Sequence, residues 1–307
     1  MQKPLINLRA YQQEAFRHPA GLLAWLYRRQ SGKSYGLGVT GLDWMMEQIC
    51  TVIFASAALR LGMENILKEA EVWRQVTNEL RKLAEASGQF KLTTQADDDN
   101  GQLLDVDAIA DMFEHQKLET KLWHTNSNYS RSMVVAPNPD TAVGWTGHVI
   151  LDEVGRMPDF REVFEAMEPI VSSGQNYRVR MATTPPPDDK HYSYELLAPP
   201  PELDGTFPVN PRGNWYTSRQ GILVHRVDAW DGHAAGVPLY DLQSREKLTP
   251  EEHRARSVDK MAWDRNYGIR FLKGGTAAVS VAAIYHAQAA GARECTGIHI
   301  TDTLEAA

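Results

Sequence analysis

Short apolar runs alternate with amphipathic segments along most of the chain, a pattern typical of α/β proteins. The apolar runs predict buried strands at residues 21–26, 51–55, 131–136, 148–153, 177–183 and 221–227. Apolar positions that recur every three or four residues predict helices at residues 8–16, 35–49, 57–87 and 192–197, and a further helix from residue 250. Because strands and helices alternate, we expect an α/β fold with a mainly parallel central sheet flanked by helices.

Prolines concentrate over residues 185–211, which predicts a boundary between two lobes. We therefore expect a core subdomain over residues 1–200, a smaller lid or linker subdomain over 201–275, and an extension rich in alanine and glycine over 276–307. An aspartate-rich segment at residues 95–111 lacks the alternating ligands and the fixed glycine of a calcium loop. A solvated, mobile loop is the expectation there.

Composition and charge limit the classes of function that the chain can have. Its net charge of −7 argues against a free-standing, strongly basic DNA-binding protein, although contact through a local patch or after oligomerisation stays open. The two cysteines and ten histidines have no metal-ligand spacing, which argues against a zinc site and fits a reducing cytosol. No apolar run approaches the length of a membrane span, and the first residues lack the layout of a signal peptide.

The most informative segment is the polar turn that follows the first apolar run and ends in Gly32, Lys33 and Ser34. A phosphate-binding loop needs a residue without a Cβ where backbone N–H groups close on the anion, and Gly32 is such a residue. Lys33 is placed to reach the β- and γ-phosphates, and Ser34 offers a hydroxyl to Mg²⁺. Tyr27 stands where the usual pattern has its first glycine, so an ordinary turn with a solvated lysine is the alternative.

A second candidate segment is the apolar run that ends in Asp152 and Glu153. A buried parallel strand would deliver both carboxylates to the carboxyl edge of the sheet, where ligands of open α/β sheets bind. In a nucleotide site, Asp152 would hold the Mg²⁺ shell and Glu153 would act as the general base that polarises the attacking water. Alone, such a pair is often only a strand end. Together with Gly-Lys-Ser upstream it favours a hydrolytic nucleotide site.

Two further candidates each have an ordinary structural alternative. Thr183 and Thr184 end a predicted strand, where a hydroxyl can sense the γ-phosphate and pass its loss to a moving element. The alternative for them is a plain Thr-Thr-Pro turn. The amide of Gln12 can donate and accept hydrogen bonds at once, as recognition of the adenine edge requires. The alternative for Gln12 is a surface position on a helix.

Taken in order, these motifs resemble the ATPase half of the large terminase subunit of tailed bacteriophages, the motor that packs double-stranded DNA into a procapsid. In that family the phosphate loop often reads Arg-Gln-x-Gly-Lys-[Ser/Thr] with the first glycine replaced, and residues 29–34 match it. The resemblance runs over roughly residues 8–275. Other segments similar to family motifs are residues 8–12 (adenine recognition), 52–57 (the strand and serine after the loop), 144–153 (the acidic strand) and 181–185 with His191 and 194–196 beyond (the coupling motif).

The resemblance implies a P-loop NTPase fold of the additional-strand, catalytic-glutamate class with a small second subdomain, binding ATP and Mg²⁺. It also implies that Arg29 acts within its own chain as an arginine finger, a group worth about 10³–10⁵ in rate. Other members take this arginine from a neighbouring subunit, and Arg28 is an adjacent candidate. Contacts with the nucleotide are expected from Gln12, Arg28, Gln30, Ser31, Gly32, Lys33 and Ser34.

The function that the resemblance implies is ATP hydrolysis that powers DNA translocation into a procapsid. The expected partners are double-stranded DNA, the portal protein, the small terminase subunit and further copies of the chain in a ring, with no membrane. The expected location is the host cytoplasm and, transiently, the portal. No nuclease activity is expected, because the extension, with Asp302 as its only aspartate, lacks a cluster of metal-binding carboxylates. A helicase-like DNA-dependent ATPase and a non-hydrolysing nucleotide-binding scaffold are the alternatives.

Overall fold

The computed structural model describes residues 5–87, 92–93, 103–104, 106–138, 145–272 and 281–294. The aspartate run at 97–99, Gly144 and Asp302 lie outside the described residues. The helices are α1 (Ala10–Arg17), α2 (Lys33–Glu47), α3 (Leu59–Ser87), α4 (Val106–Asp111), α5 (Phe160–Ser172), α6 (Tyr192–Leu197), α7 (Ala229–Ala234), α8 (Pro250–Arg256), α9 (Lys260–Asn266) and α10 (Val281–Glu294).

Nine strands form one sheet in the order β10-β11-β1-β9-β8-β2-β7-β6-β5. The six strands from β11 to β7 are mutually parallel, and antiparallel strands extend both edges. The sheet is therefore mainly parallel, as the sequence predicts. Its strands are β1 (Leu22–Tyr27), β2 (Thr51–Ser56), β5 (Phe113–His115), β6 (Glu119–Trp123), β7 (Tyr129–Val135), β8 (His148–Asp152), β9 (Val179–Thr183), β10 (Asn214–Thr217) and β11 (Leu223–Val227). Two short antiparallel pairs lie outside it, β3 (Leu92–Thr93) with β4 (Leu103–Leu104) and β12 (Leu239–Tyr240) with β13 (Lys247–Leu248).

Helices cover both faces of the sheet, so its central strands are apolar on both sides. Along β1, Trp25 and Tyr27 point into the core shared with α2 and α3, whereas Ala24 and Leu26 point into the core shared with α5. This alternation follows from the two-residue period of a strand. Burial on both sides explains why the strands appear in the sequence as continuous apolar runs.

Each of the six predicted strands is present, but several elements were not predicted. Helix α5 buries Phe160, Val163, Met167 and Ile170 at helical spacing, yet Pro169 lies inside it and obscures the helical pattern. Strand β6 has charged residues at alternate positions and only two buried side chains, so its apolar signal is weak. Both elements are held by tertiary packing more than by local preference.

The segment predicted as a solvated loop is partly wrong, because its last residues form α4 and Ile109 packs into the core. Apolar burial outweighs the neighbouring aspartates there. Strands β10 and β11 belong to the central sheet, so the sheet extends past the boundary predicted at residue 200. The division into subdomains stays a prediction. In the described part of the chain, no helix is long and apolar enough to span a bilayer.

One acid lies entirely inside the core. Glu69 of α3 has no exposed surface, and its Oε2 accepts a hydrogen bond of 2.8 Å from the Thr120 hydroxyl. Gly41 of α2 makes room for it, because a Cβ at that position would lie 2.5 Å from Glu69 Oε1. Burial raises the pKa of Glu69 from 4.5 to about 8, so the folded protein holds this side chain neutral near pH 7.

We predict that Glu69→Gln weakens the dependence of stability on pH. The folded-state pKa lies above the unfolded one, so the native protein binds more protons between about pH 4.5 and 8 and loses stability as the pH rises through that window. The variant should gain about 1–3 kcal/mol of unfolding free energy relative to wild type between pH 5 and 8. Urea unfolding at several pH values measures this, with the exposed Glu165→Gln as control. Parallel pH curves for wild type and Glu69→Gln would contradict it.

Candidate active site

The candidate residues gather at the carboxyl edge of three neighbouring strands. Strand β9 lies between β1 and β8, and Thr183 at its end is in register with Leu26, while Ala182 is in register with Asp152. The turns after these strands therefore meet at one edge of the sheet. This edge is where open α/β sheets bind ligands.

The turn after β1 has the backbone of a phosphate-binding loop. Gln30 and Gly32 adopt left-handed conformations, with φ of 57° and 78°, and α2 begins at Lys33. The Ser31 hydroxyl donates to the Arg28 carbonyl at 2.8 Å and closes the turn. The first N–H groups of α2 therefore emerge from a tight loop, an arrangement suited to an anion.

Residues from the two predicted motifs touch each other. Ser34 Oγ donates a hydrogen bond of 2.7 Å to Asp152 Oδ2, across 118 positions of sequence. Lys33 Nζ lies 3.7 Å from Glu153 Oε1, and it also donates to the carbonyls of Tyr27 and Arg28. The fold thus unites the Gly-Lys-Ser turn with the Asp-Glu strand end.

The electrostatics of this cluster come from burial. Asp152 is 3% exposed, and its burial raises its pKa. Repulsion from the neighbouring Glu153 carboxylate raises the pKa of Asp152 further. The Ser34 hydrogen bond, the Lys33 ammonium and the Glu153 N–H work in the opposite direction. Because Glu153 is partly exposed at 26%, its carboxylate remains open to solvent and to a bound ligand.

The backbone turns sharply directly after the acidic strand. Glu153 has a φ of 57°, and its N–H donates to Asp152 Oδ1 at 3.0 Å. A 3₁₀ turn comes next, in which the Gly155 N–H donates to Thr183 Oγ1 at 2.9 Å. Thr183 itself donates to the Thr184 carbonyl at 2.6 Å. Thr183 is thus hydrogen-bonded to the turn that carries Glu153, and the Thr184 carbonyl lies beside Gly155.

A second contact holds the other end of this turn. His191 Nδ1 accepts a hydrogen bond from the Ser193 N–H and caps α6, which leaves the proton on Nε2. His191 Nε2 therefore donates to the Met157 carbonyl at 2.9 Å. The turn after Glu153 is hydrogen-bonded to the end of β9 and to the segment beyond it.

The two adjacent arginines differ completely in exposure. Arg29 is exposed beside the loop, and its backbone N–H donates to the Asn266 carbonyl. Arg28 has no exposed surface, and its guanidinium donates to the carbonyls of Arg29 and Val237. The Arg28 side chain therefore lies in the interior of the structure, and its contact with a nucleotide stays a prediction. Burial also lowers the pKa of Arg28.

Several contacts to the loop were not predicted from the sequence. Gln12 donates to the Gly32 carbonyl at 3.0 Å, and the hydroxyl of Tyr11, which was not singled out, donates to the Ser31 carbonyl at 2.7 Å. Ser56, which lies in the segment similar to the family's strand and serine after the loop, ends β2 and donates to the Asp152 carbonyl at 3.2 Å. The signal available in the sequence was the position of Tyr11, an aromatic residue directly before the candidate Gln12.

We predict that Gly155→Ala destabilises the turn after Glu153. A Cβ there would lie 2.7 Å from the Thr184 carbonyl oxygen and 2.8 Å from Thr183 Oγ1. Overpacking of this kind costs about 1–3 kcal/mol, measurable by urea unfolding. Gly21→Ala is the control, because a Cβ at Gly21 would meet no described atom within 4 Å. Equal stability of the two variants would show that the turn relaxes freely.

Comparison with known proteins tests the fold. No family model matches the sequence, and no curated protein does. Among solved structures, the large terminase ATPase domain of Thermus phage P74-26 is similar with a TM-score of 0.52 and 18% identity, over 85% of this chain and 93% of that one. A mutant of the same domain is similar with a TM-score of 0.52 and 17% identity, over the same shares. The chain therefore has the fold of a phage large terminase ATPase domain, as the order of its motifs predicted.

Proposed function

We propose that this chain hydrolyses Mg·ATP to power the packaging of double-stranded DNA into a phage procapsid. The observation that carries the proposal is the contact of Ser34 with Asp152, beside the ion pair of Lys33 with Glu153. These are the four side chains that a hydrolytic P-loop site requires next to one another. The similarity of fold to a phage large terminase ATPase domain supports the choice of a packaging motor.

The loop after β1 would bind the phosphates of ATP. Its N–H groups and the first turn of α2 offer donors and a positive dipole end to the anion. Lys33 is only 6% exposed and lies against loop carbonyls, so its ammonium needs little reorganisation to reach a phosphate oxygen. Arg29, exposed beside the loop, is the better placed of the two arginines to reach the γ-phosphoryl group.

Ser34 and Asp152 would hold the Mg²⁺ that accompanies ATP. The fit rests on their chemistry and placement, since a hydroxyl and a buried carboxylate 2.7 Å apart are oxygen donors of the kind that Mg²⁺ prefers. When bound there, Mg²⁺ would neutralise charge on the phosphates. Among the described residues, no group of three or more histidine, cysteine or acidic side chains could hold a metal ion.

Glu153 would orient the attacking water and accept its proton. Its partial exposure leaves a path for water, and its fixed backbone aims the carboxylate toward Lys33. Because the Gly155 N–H is bonded to Thr183, a shift of the turn on phosphate release would move the end of β9. Thr183 and Thr184 would thereby couple hydrolysis to movement of the segment beyond β9.

DNA would be held by its phosphate backbone, without regard to sequence and with strong dependence on salt. Since the chain carries a net charge of −7, a single copy should bind DNA weakly. Assembly as a ring on the portal protein, with the small terminase subunit, would supply the avidity for processive packaging. Such assembly would take place in the host cytoplasm.

We predict that Glu153→Gln lowers Mg·ATP turnover by about 10²–10⁴ while ATP binding persists, because the amide cannot accept the proton. Turnover should be measured at several protein concentrations, with and without double-stranded DNA, with Glu165→Gln as control. A rate that rises more than linearly with protein concentration would indicate an oligomeric ATPase, and stimulation by DNA would support the motor.

Other outcomes would favour the alternatives. Binding without turnover under every condition would favour a nucleotide-binding scaffold. Unwinding of a forked duplex would favour a helicase-like enzyme. Hydrolysis without ATP-dependent protection of DNA from nuclease, in the presence of portal-bearing procapsids, would refute a packaging motor.

We also predict that replacing Arg29 affects turnover, whereas replacing Arg28 affects stability. Arg29→Ala should lower turnover by about 10³ or more and leave the melting temperature nearly unchanged, since its side chain is exposed. Arg28→Ala should lower the melting temperature, because it leaves a cavity and unpaired carbonyls in the interior. Turnover and thermal unfolding of both variants test this. Normal turnover of Arg29→Ala at all protein concentrations would exclude it as the arginine finger.

A further inference from the structure

Helix α1 is attached to the phosphate loop at two consecutive carbonyls. The Tyr11 hydroxyl donates to the Ser31 carbonyl at 2.7 Å, and Gln12 Nε2 donates to the Gly32 carbonyl at 3.0 Å. Tyr11 has no exposed surface and Gln12 is 3% exposed, so neither contact is open to competition from bulk water. Two neighbouring peptide groups of the loop are thereby held from one side.

Holding these carbonyls also determines where the adjoining N–H groups point. In a trans peptide unit the carbonyl and the N–H lie on opposite sides of the chain. With the Ser31 carbonyl held toward Tyr11, the Gly32 N–H points away from α1. With the Gly32 carbonyl held toward Gln12, the Lys33 N–H does the same. These are the amides at the start of α2, the end of a helix that attracts anions.

The position of Tyr11 is itself fixed by a buried aromatic cluster. Its ring meets that of Tyr27 edge to face, with 5.5 Å between centroids. His225 Nε2 donates to the Arg212 carbonyl at 2.8 Å, so its Nδ1 must accept, and it does so from the Tyr27 hydroxyl at 2.7 Å. The Tyr27 hydroxyl is therefore held by His225, which fixes the ring that Tyr11 packs against.

The contacts of Gln12 and Tyr11 in α1 do not fit a role confined to recognition of the adenine base. Gln12 Oε1 already accepts from the Arg9 N–H at 2.9 Å, while its Nε2 donates to Gly32. A Cβ at Gly32 would lie 2.8 Å from Gln12 Nε2, so the amide is packed directly on the loop. The ring of Tyr11 is completely buried and has no face free to stack on adenine.

We propose that Tyr11 and Gln12 are positioning residues for phosphate binding, which orient the Gly32 and Lys33 amides toward the polyphosphate of the nucleotide. This inference rests on the proposed ATP site and adds a residue, Tyr11, and a role for α1 within it. Affinity gained in this way comes from preorganisation of the loop, since the amides need no reordering when the anion binds. It applies to the phosphate chain whatever base is attached.

The test compares ATP with inorganic tripolyphosphate, each with Mg²⁺, by titration calorimetry on the full chain. Tyr11→Phe removes one oxygen and keeps the ring, and we expect about three- to tenfold weaker binding of both ligands. Tyr216→Phe is the matched control, because Tyr216 is also buried and its hydroxyl also donates to a backbone carbonyl, that of Leu197. The control should bind both ligands within about twofold of wild type.

Each outcome separates this inference from the proposed function. Unchanged affinities in Tyr11→Phe, or weaker ATP binding with unchanged tripolyphosphate binding, would overturn the inference and leave the ATP site standing. A wild-type chain that binds neither ligand would overturn both. If Tyr11→Phe does not fold, Gln12→Met, which removes the donor to Gly32 at similar volume, is expected to show the same parallel loss for the two ligands.

Discussion

The hydrogen bond between Ser34 and Asp152 depends on nearly every large feature of the fold. Ser34 follows β1 and Asp152 ends β8, and these two strands are not adjacent because β9 lies between them. They meet only because all three strands run in parallel and end at the same level of the sheet. Helices on both faces stabilise that parallel arrangement, because each strand then buries both of its sides. The site is thus a consequence of sheet order and register.

The buried charges of Lys33 and Asp152 at this edge are unfavourable by themselves and are stabilised by polar partners. Lys33 and Asp152 are almost inaccessible to solvent, and each would be unfavourable in an apolar setting without partners. Carbonyls of the loop receive the ammonium, and a hydroxyl and an N–H reach the carboxylate. An arrangement of this kind favours a ligand that brings its own charges, since polar groups are already in position.

The turn after Glu153 shows how a local strain is kept in place. A left-handed glutamate is unfavourable by itself and persists where neighbouring contacts hold it. Here Asp152 receives the Glu153 N–H, and Thr183 and His191 bind the turn further along. The segment that would carry the catalytic carboxylate is therefore tied to the strand end and to α6, which lies beyond it in sequence.

The sequence by itself determined the six parallel strands of the central sheet and the segments where chemistry was to be sought. Apolar runs and residue types such as Gly32 are local signals, and burial on both faces of a parallel sheet makes them strong. Weaker elements were missed where the local signal conflicts with packing, as at Pro169 in α5. Only the tertiary structure decided that Arg28 is interior while Arg29 is exposed, and that Tyr27 replaces a loop glycine as a core residue bonded to His225. These outcomes depend on neighbours that are distant in the sequence, so no local pattern could contain them.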